Sequence, residues 1–302
     1  MKKKGTYRWL RWILRGLLVA LCLGVLSLFF SHRQPTDRAL SHRLTILTYN
    51  TDRLGSFRKA DSNRVIANIL DTDADIVCLQ EVEVYKDPKY MTLPELKEAL
   101  SRYPYTYFDF KIYNSRRQYG LAVFSKYPLT HKQTIPYTSR GNISDFCDVV
   151  IGEDTLRLFN NHLESNRLDY HDLPDSVSSD AIKSSAKRIN EKMVRARPRR
   201  HEQAQAVRSA IDASPYPVIV VGDFNSLPLS RTYARIRFGA KGNLRDCFLE
   251  SSFGRVGNTF KTHHLGIRID YILCSKTLYP LRTEVRHLRG SDHFPLIVEL
   301  GW

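Results

Sequence analysis

Short apolar runs and alternating apolar and polar residues recur from residue 44 to the C-terminus. Their length and β-branched content predict strands over Leu44–Asn50, Asp75–Leu79, Tyr105–Phe110, Gly120–Phe124, Pro217–Val221, Asp270–Cys274 and Leu296–Leu300. A hairpin is predicted from Val149–Ile151 and Leu156–Asn160, which flank Gly152-Glu153-Asp154. Helical spacing predicts helices over Arg64–Leu70 and Leu93–Leu100, and the polar, basic stretch 178–212 also has helical character. This mixture predicts a layered α/β or α+β domain with a large mixed sheet.

A hydrophobic segment near the N-terminus follows a group of cations. The apolar run covers residues 16–30, and six basic residues precede it: Lys2, Lys3, Lys4, Arg8, Arg11 and Arg15. The run is shorter than the ~20 residues that span a bilayer, but residues 12–14 lengthen it if Arg15 reaches toward the head groups. We interpret it as an uncleaved transmembrane helix with a cytoplasmic N-terminus. The alternative is a cleaved signal peptide, which small residues before a cleavage site would favour and residues 28–33 lack.

The charge of the chain is concentrated at its beginning. The formal net charge is +15, of which residues 1–43 contribute +8, leaving +7 for the rest. A mildly basic domain suits an anionic substrate without distinguishing nucleic acid from lipid. Residues 183–200 contain eight Lys or Arg and one Glu. This segment is either a rim that attracts polyanions or simply a solvated helix face, and the sequence leaves both readings open.

The five cysteines do not form a recognisable metal motif. They are Cys22, Cys78, Cys147, Cys247 and Cys274, and no two have the spacing of zinc ligands. Cys78 and Cys274 lie within apolar strand-like runs, where a free cysteine acts as a small buried hydrophobic residue. We therefore expect neither a zinc site nor a structural disulfide.

Polar residues cluster where the predicted strands end. Asn50 ends the first strand, and Glu81 is predicted to end the second. The other positions of this kind are His162, Asp223, Asn225, Asp270, Asp292 and His293. Taken singly, each could be a turn residue or an exposed strand end, and Arg268 with Asp270 could be a weak surface pair. Gathered at one sheet edge, they would suit Mg²⁺, which prefers few carboxylates together with water and substrate oxygens.

The ordered set of motifs carries a family resemblance. The motifs are Thr-Tyr-Asn50, Gln-Glu81, Asn-His162-Leu, Gly-Asp223-Phe-Asn225-Ser, Arg-Ile-Asp270-Tyr and Ser-Asp292-His293-Phe-Pro. In this order, from about residue 44 to the C-terminus, they resemble the endonuclease/exonuclease/phosphatase superfamily. The segment 243–260 resembles its membrane-tethered bacterial members. The resemblance implies a four-layered α/β sandwich of two packed mixed β-sheets flanked by helices, here preceded by one transmembrane helix.

The resemblance also implies roles for the clustered residues. The implied metal ligands for Mg²⁺, or alternatively Mn²⁺, are Asn50, Glu81 and Asp292. The implied catalytic residues are His162, Asp223, Asn225, Asp270 and His293. In this scheme Asp223 orients or deprotonates the attacking water, both histidines donate hydrogen bonds to the phosphate, and Asp270 fixes the tautomer of His293.

The implied activity is phosphoester hydrolysis, either phosphodiesterase-like or nuclease-like, and the substrate is open. The segment 161–165 favours a sphingomyelinase-like or general hydrolase, so a lipid hydrolase or a phosphoinositide phosphatase is an alternative. An inactive surface-binding protein on this fold would lack a core polar residue, and none is missing. We predict a basic tip and anchor over residues 1–31, a linker over 32–43 and a catalytic domain over 44–302. The expected form is a single-pass, monomeric membrane enzyme with an extracytoplasmic catalytic domain and no obligate protein partner.

Overall fold

The structure describes most of the chain from residue 40 onward. The computed structural model describes residues 40–57, 62–165, 178–252, 257–261 and 267–302. The chain divides into two units, Met1–Ala39 and Leu40–Trp302, and every described residue belongs to the second. The predicted anchor and most of the predicted linker lie outside the described residues. Within the described ranges, no helix combines the length and the apolar character needed to cross a membrane.

The first β-sheet contains both the first and the last strand of the fold. In order across the sheet its strands are β11 (Tyr279–Val285), β12 (Leu296–Gly301), β1 (Arg43–Asn50), β2 (Ile76–Tyr85), β4 (Arg117–Ser125) and β3 (Tyr105–Tyr113). β1 and β2 are parallel, and every other neighbouring pair is antiparallel. The sheet is therefore mixed, with β1 near its centre.

The second β-sheet repeats this arrangement. In order across the sheet its strands are β5 (Leu129–Thr134), β6 (Ile143–Ile151), β7 (Asp154–His162), β8 (Val218–Asp223), β10 (Asp270–Cys274) and β9 (Arg245–Asp246). β7 and β8 are parallel, and the other neighbours are antiparallel. The predicted hairpin is confirmed, because Ile151 pairs with Asp154 across a loop of Gly152 and Glu153.

Helices cover the outer faces of both sheets. The described helices are α1 (Asp52–Phe57), α2 (Arg64–Thr72), α3 (Leu93–Ala99), α4 (Ser179–Asp212), α5 (Arg231–Arg237) and α6 (Cys247–Ser251). One apolar cluster joins the inner faces of the two sheets. A second joins α2 and α3 to the outer face of the first sheet, and a third joins α4 and α5 to the outer face of the second sheet. The predicted sandwich of two packed mixed sheets flanked by helices is confirmed.

The sequence of β1 shows why these layers form. Leu44 and Ile46 face the second sheet, whereas Leu47 and Tyr49 face the helices. Because successive strand residues point to opposite faces, a strand covered on both sides needs apolar residues at nearly every position. The same pattern in β8, where every residue is buried, places this strand at the centre of the second sheet.

The predicted end of the second strand is wrong. β2 continues past Gln80 and Glu81 to Tyr85, and its register with β4 shifts between Leu79 and Val82. This irregularity is a β-bulge, which reorients a side chain without ending the strand. The sequence pattern also missed β5, β9 and β11 and the helices α1, α5 and α6, because short elements carry few periodic positions.

A polar bridge connects the two sheets through the core. The Nε2 atom of Gln80 donates to Oδ1 of Asn160 over 2.7 Å, and Asn160 donates from Nδ2 to the carbonyl oxygens of Leu79 and Ala122. Both side chains are fully buried. A buried amide is stable only when hydrogen-bonded, so this bridge favours a single register between the sheets.

The described cysteines contribute to the core as thiols. Cys78, Cys147, Cys247 and Cys274 are free and buried, and the Sγ atoms of Cys247 and Cys274 lie 3.6 Å apart. The prediction that Cys78 and Cys274 are buried hydrophobic residues is confirmed. Cys22 lies outside the described residues.

Two buried aspartates on β6 have opposite environments. Asp148 accepts two hydrogen bonds from Arg157, over 2.7 and 2.9 Å. Neither carboxyl oxygen of Asp145 has a hydrogen-bond partner among the described residues. Burial, and next the nearby charge of Asp109, raise the pKa of Asp145 well above its ordinary value. The folded protein therefore keeps Asp145 protonated under conditions where the unfolded chain would ionise it.

We predict that Asp145→Asn stabilises the protein at neutral pH. The raised pKa means that the folded state holds a proton that the unfolded state releases, so wild-type stability falls as the pH rises above the ordinary carboxyl value. The amide removes this penalty, so the variant should have the higher free energy of unfolding at pH 7. Chemical denaturation from pH 4 to pH 8 should show the gain shrinking toward acid pH.

Asp148→Asn is the matched control on the same strand. It breaks a buried ion pair with Arg157 and should therefore lower the free energy of unfolding at neutral pH. An Asp145→Asn variant that is destabilised at pH 7, or that shows no dependence on pH relative to wild type, would contradict the prediction.

Candidate active site

The predicted site residues converge where strands of both sheets end. Asn50 ends β1, His162 ends β7 and Asp223 ends β8, while Asp270 begins β10. His162 lies opposite Asp223 in the parallel pair β7–β8, and Asp270 lies opposite Asp223 in the antiparallel pair β8–β10. The packing of the two sheets thus brings these side chains together from distant parts of the chain.

Asp223 is the centre of the cluster. Its Oδ2 atom accepts hydrogen bonds from Nδ2 of Asn50 over 3.1 Å and from Nδ2 of Asn225 over 3.0 Å. The backbone N–H of Asn225 donates to Oδ1 over 2.8 Å. The Nε2 atoms of His162 and His293 lie 3.9 and 3.7 Å from Oδ2. Four residues from four chain segments and both sheets therefore surround one buried carboxylate.

Gly222 allows this approach of β7 and β8. Its φ is +124°, and a Cβ atom at this position would lie 2.0 Å from the carbonyl oxygen of Asn161. Any side chain would push β8 away from β7, and with it Asp223 from His162. The glycine immediately before Asp223 is thus required by both its backbone conformation and the space available.

Glu81 reaches the site through the β-bulge. Its φ is 54°, a left-handed conformation that is rare for glutamate, and the hydroxyl of Thr51 donates to the carbonyl oxygens of Gln80 and Glu81 over 3.0 Å. The Oε1 atom accepts from Nδ2 of Asn50 over 3.1 Å and lies 3.4 Å from Nε2 of His162. The side chain of Glu81 is 24% exposed, so its carboxylate remains accessible to a ligand from solvent.

Asp270 orients the imidazole of His293. Its Oδ2 atom lies 2.9 Å from Nδ1 of His293, and this contact leaves Nε2 directed toward Asp223. The ring of Phe260 packs edge-on against the imidazole with centroids 4.9 Å apart. The hydroxyl of Thr259 accepts from the backbone N–H of Asp270 over 3.1 Å and fixes the start of β10.

Asp292 is connected to the cluster through Ser291. The Ser291 hydroxyl donates to the carbonyl oxygen of Asn50 over 2.8 Å, lies 3.3 Å from Oδ1 of Asp292, and accepts from the backbone N–H of His293 over 3.0 Å. Asp292 is the one exposed member of the predicted set. It stands at the open side of the site, next to the loop that follows β1.

Asp223 and His293 shift each other's pKa values in opposite directions. Burial raises the pKa of Asp223 to about 6, against the opposing effect of His293, and the charge of Asp270 adds to the increase. Burial lowers the pKa of His293, but the carboxylates of Asp270 and Asp223 outweigh it, so the net pKa lies well above its ordinary value. At neutral pH this places an ionised Asp223 beside a protonated His293.

The pKa of Glu81 moves the other way. Burial raises it, but the imidazole of His162 and the hydrogen bond from Asn50 more than offset this effect, and the net pKa is lowered. Glu81 is therefore an anion throughout the physiological pH range. An accessible carboxylate that stays ionised has the property expected of a ligand for a hard cation.

The donor set fits a divalent metal ion. The ligand atoms of Asp223, Asp270 and His293 lie within 4.8 Å of one another, and Glu81 and Asn50 adjoin this trio. Buried polar atoms without a hydrogen-bond partner in the described part of the chain include Nε2 of His162 and Oδ1 of Asp270. The carboxylate oxygens, including Oδ1 of Asp270, would suit a cation, and Nε2 of His162 would suit an anionic group.

Several supporting residues were missed from the sequence. Arg268, considered as a surface partner of Asp270, is instead buried and makes two 2.9 Å hydrogen bonds to Asp246, which also caps α6. This buried pair, together with Thr259, holds the segment that leads into β10. Ser291 was missed as well. Polar residues without a local pattern carry no sequence signal for contacts made at long range.

Comparisons with known proteins agree with the fold and the site. The profile of the Endonuclease/Exonuclease/phosphatase family matches residues 47–293, a range that contains all eight predicted site residues. A comparison with curated proteins found no match. An endonuclease/exonuclease/phosphatase from Beutenbergia cavernae DSM 12333 is 18% identical with a TM-score of 0.61, covering 86% of this chain and 71% of that chain.

Two further solved structures have the same fold. Truncated TDP2 from Caenorhabditis elegans is 18% identical with a TM-score of 0.59, covering 88% of this chain and 100% of its own. ANGEL2, a 2',3'-cyclic phosphatase in complex with adenosine-2',3'-vanadate, is 17% identical with a TM-score of 0.52, covering 86% of this chain and 95% of its own. At this identity the likeness concerns the fold alone. The family match spans most of the chain, and this shows that the chain belongs to the endonuclease/exonuclease/phosphatase family of phosphoester hydrolases.

Proposed function

We propose that the chain hydrolyses a phosphoester bond with the help of a divalent metal ion, Mg²⁺ or alternatively Mn²⁺. The observation that supports this proposal is the convergence of Glu81, Asp223 and His293 with their supporting amides at one end of both sheets. Phosphoester hydrolysis requires a positioned water and compensation of charge on the phosphoryl oxygens. The site offers groups for both tasks.

Glu81 would be the principal metal ligand, with Asn50 and Asp292 beside it. Glu81 is ionised and accessible, Asn50 contacts its carboxylate, and Asp292 stands at the open side of the site. A bound metal ion would polarise the phosphoryl group and stabilise the leaving oxygen. Asp223, Asp270 and His293 form a tighter donor group, but their mutual hydrogen bonds and charges suit proton transfer and orientation better.

Asp223 would act on the attacking water. Its pKa of about 6 leaves it ionised at neutral pH yet basic enough to accept a proton, which is the range in which general bases are effective. Asn225 contacts the same carboxylate through two hydrogen bonds and would hold the water or a phosphate oxygen. Because Asp223 is already surrounded by donors, its orientation is fixed before the substrate binds.

His293 and His162 would bind the phosphate. His293 is protonated at neutral pH because of Asp270 and Asp223, and its Nε2–H would donate to a phosphoryl oxygen. The Nε2 atom of His162 is buried without a hydrogen-bond partner among the described residues and is available for a second contact. These contacts strengthen as negative charge develops on the phosphoryl group. Asp270 is a positioning residue that acts through His293.

The substrate is proposed as nucleic acid or, alternatively, a phospholipid head group, and the enzyme as a single-pass membrane protein. The hydrophobic segment at residues 16–30 supports an anchored, extracytoplasmic enzyme. The likeness to ANGEL2, a 2',3'-cyclic phosphatase, is consistent with phosphoester chemistry on this fold. Full-length protein assayed with Mg²⁺ against plasmid DNA, RNA, sphingomyelin, phosphoinositides and a simple phosphodiester, with EDTA as control, would identify the class.

Turnover should depend on Asp223 and His293, because each acts in the transition state. We expect kcat to fall on the order of 10²–10⁴-fold in Asp223→Asn and in His293→Ala. His287→Ala, an exposed histidine in the same C-terminal segment, is the matched control and should leave kcat unchanged. Kinetics on whichever substrate is active, with thermal unfolding as a check on folding, would measure this. Near-normal turnover in either folded site variant would overturn the assignment.

Activity should depend on the added metal through Glu81. EDTA should abolish turnover and excess Mg²⁺ should restore it. Glu81→Gln should raise the Mg²⁺ concentration needed for half-maximal activity at least about tenfold, because the variant loses an ionised ligand. Glu98→Gln, an exposed glutamate on α3, should not change it. Full activity in EDTA after dialysis, or an unchanged Mg²⁺ requirement for Glu81→Gln, would rule out this role.

The pH profile of kcat/KM should be bell-shaped. The rate should rise through about pH 6 as Asp223 loses its proton and fall above the raised pKa of His293 as the imidazolium is lost. The charge of Asp270 raises both pKa values, so Asp270→Asn should move both limbs to lower pH. Residual activity of Asp270→Asn with limbs at the wild-type pH would show that Asp270 does not act through these groups.

A further inference from the structure

The loop that follows the site exposes two leucines. It runs from Ser226 to Ser230, directly after Asn225, and exposes Leu227 to 40% and Leu229 to 88%. Leu229 also has a φ of 67°, a left-handed conformation that leucine rarely adopts. Single exposed apolar residues are common on proteins. A leucine held outward in a strained conformation beside a functional site suggests a ligand that it contacts.

This loop is fixed by hydrogen bonds on both sides. The backbone N–H of Ser230 donates to the carbonyl oxygen of Leu227 over 3.2 Å, and the Ser230 hydroxyl caps α5 by accepting from the N–H of Tyr233. On the other side, the Tyr271 hydroxyl donates to the carbonyl oxygen of Ser226 over 2.7 Å. The leucines are therefore held by a rigid turn. The backbone of the loop would need little rearrangement for them to insert into an apolar environment.

Cations and an exposed phenylalanine follow the leucines directly in the chain. Between residues 226 and 244 the chain has four Lys or Arg and no Asp or Glu. An open groove of about 540 Å³ is lined by His201, Arg231, Ala234, Arg235 and Phe238, where α4 packs against α5. Arg231 and Arg235 are exposed, and Phe238 is 47% exposed. The surface formed by Leu227, Leu229, Arg231, Arg235 and Phe238 is termed the leucine–arginine surface.

We propose that the leucine–arginine surface docks onto an anionic lipid bilayer. Apolar side chains flanked by cations are the composition of interfacial membrane-binding surfaces, where the apolar groups enter the acyl boundary and the cations contact anionic head groups. Nucleic acid would also attract the arginines. Leu227 and Leu229 favour the bilayer over single-stranded nucleic acid, whose bases stack on aromatic side chains, because Phe238 is the one aromatic residue among the five that define this surface.

This docking would bring the site to the membrane surface. Leu229 is four residues from Asn225, so their backbones are at most roughly 14 Å apart. A phosphoester in the head-group layer would then lie near the entrance of the site. The proposal goes beyond hydrolysis and can be tested without any measurement of turnover, so it stands or fails independently of the proposed function.

Depth-dependent fluorescence of the full-length protein tests the proposal. Leu229→Trp would be reconstituted into vesicles of brominated phosphatidylcholine mixed with equal phosphatidylglycerol, and into vesicles of brominated phosphatidylcholine alone. The wild-type signal from Trp9, Trp12 and Trp302 would be subtracted. Leu249→Trp, at an exposed leucine on α6, is the matched control. We expect the added indole at 229 to be quenched in anionic vesicles, at least about twofold more than in neutral ones, and the indole at 249 to stay unquenched.

Charge substitutions complete the test. Adding Arg231→Gln and Arg235→Gln to Leu229→Trp should remove most of the quenching, whereas Lys86→Gln with Lys89→Gln, two exposed cations elsewhere, should not. The proposal is wrong if the indole at 229 is quenched no more than the indole at 249. It is also wrong if quenching at 229 depends neither on lipid charge nor on the two arginines. If the indole at 229 is unquenched while the arginine substitutions weaken binding of single-stranded DNA by the protein, the surface binds nucleic acid and the lipid proposal is wrong.

Discussion

Burial of the Asp223 carboxylate is the constraint on which the rest of the structure depends. A buried charge is tolerated only when hydrogen bonds and opposite charges compensate for lost hydration. Here the compensation comes from the amides of Asn50 and Asn225 and the imidazoles of His162 and His293. These groups lie on β1, on β7 and in loops after β8 and before β12. The two sheets must therefore pack in one register for Asp223 to be stable, and the same register assembles the site.

Other parts of the fold maintain that register at some energetic cost. Glu81 and Asn225 hold left-handed backbone conformations, which cost on the order of 1–3 kcal/mol each for residues other than glycine. Thr51 fixes the first through the bulge of β2, and Asp223 fixes the second by accepting from its backbone N–H. The buried pair of Arg268 and Asp246 steadies the approach to β10. The site thus contains strained backbone, while the apolar clusters between and outside the sheets stabilise the fold.

The sequence predicts the parts of this arrangement that local patterns encode. β1, β8 and β10 have apolar runs of strand length, and polar residues at their ends were expected to meet at a sheet edge. The bulge at Glu81 was not predictable, because it depends on how β2 pairs with β4. Arg268 was misjudged because its partner, Asp246, is 22 residues away and no periodic pattern connects them. The division of strands between two sheets followed only from the family resemblance, since pairing across long loops has no local signature.

The most direct test of the central claim is the position of a metal ion relative to Glu81. Crystals of the full-length protein grown with Mn²⁺ and phosphate would be measured at a wavelength where manganese scatters anomalously. The proposal predicts an anomalous peak within coordination distance of a carboxylate oxygen of Glu81 and bound phosphate in contact with the imidazoles of His162 and His293. An empty site at saturating Mn²⁺, or a peak that leaves Glu81 uncoordinated, would contradict the account.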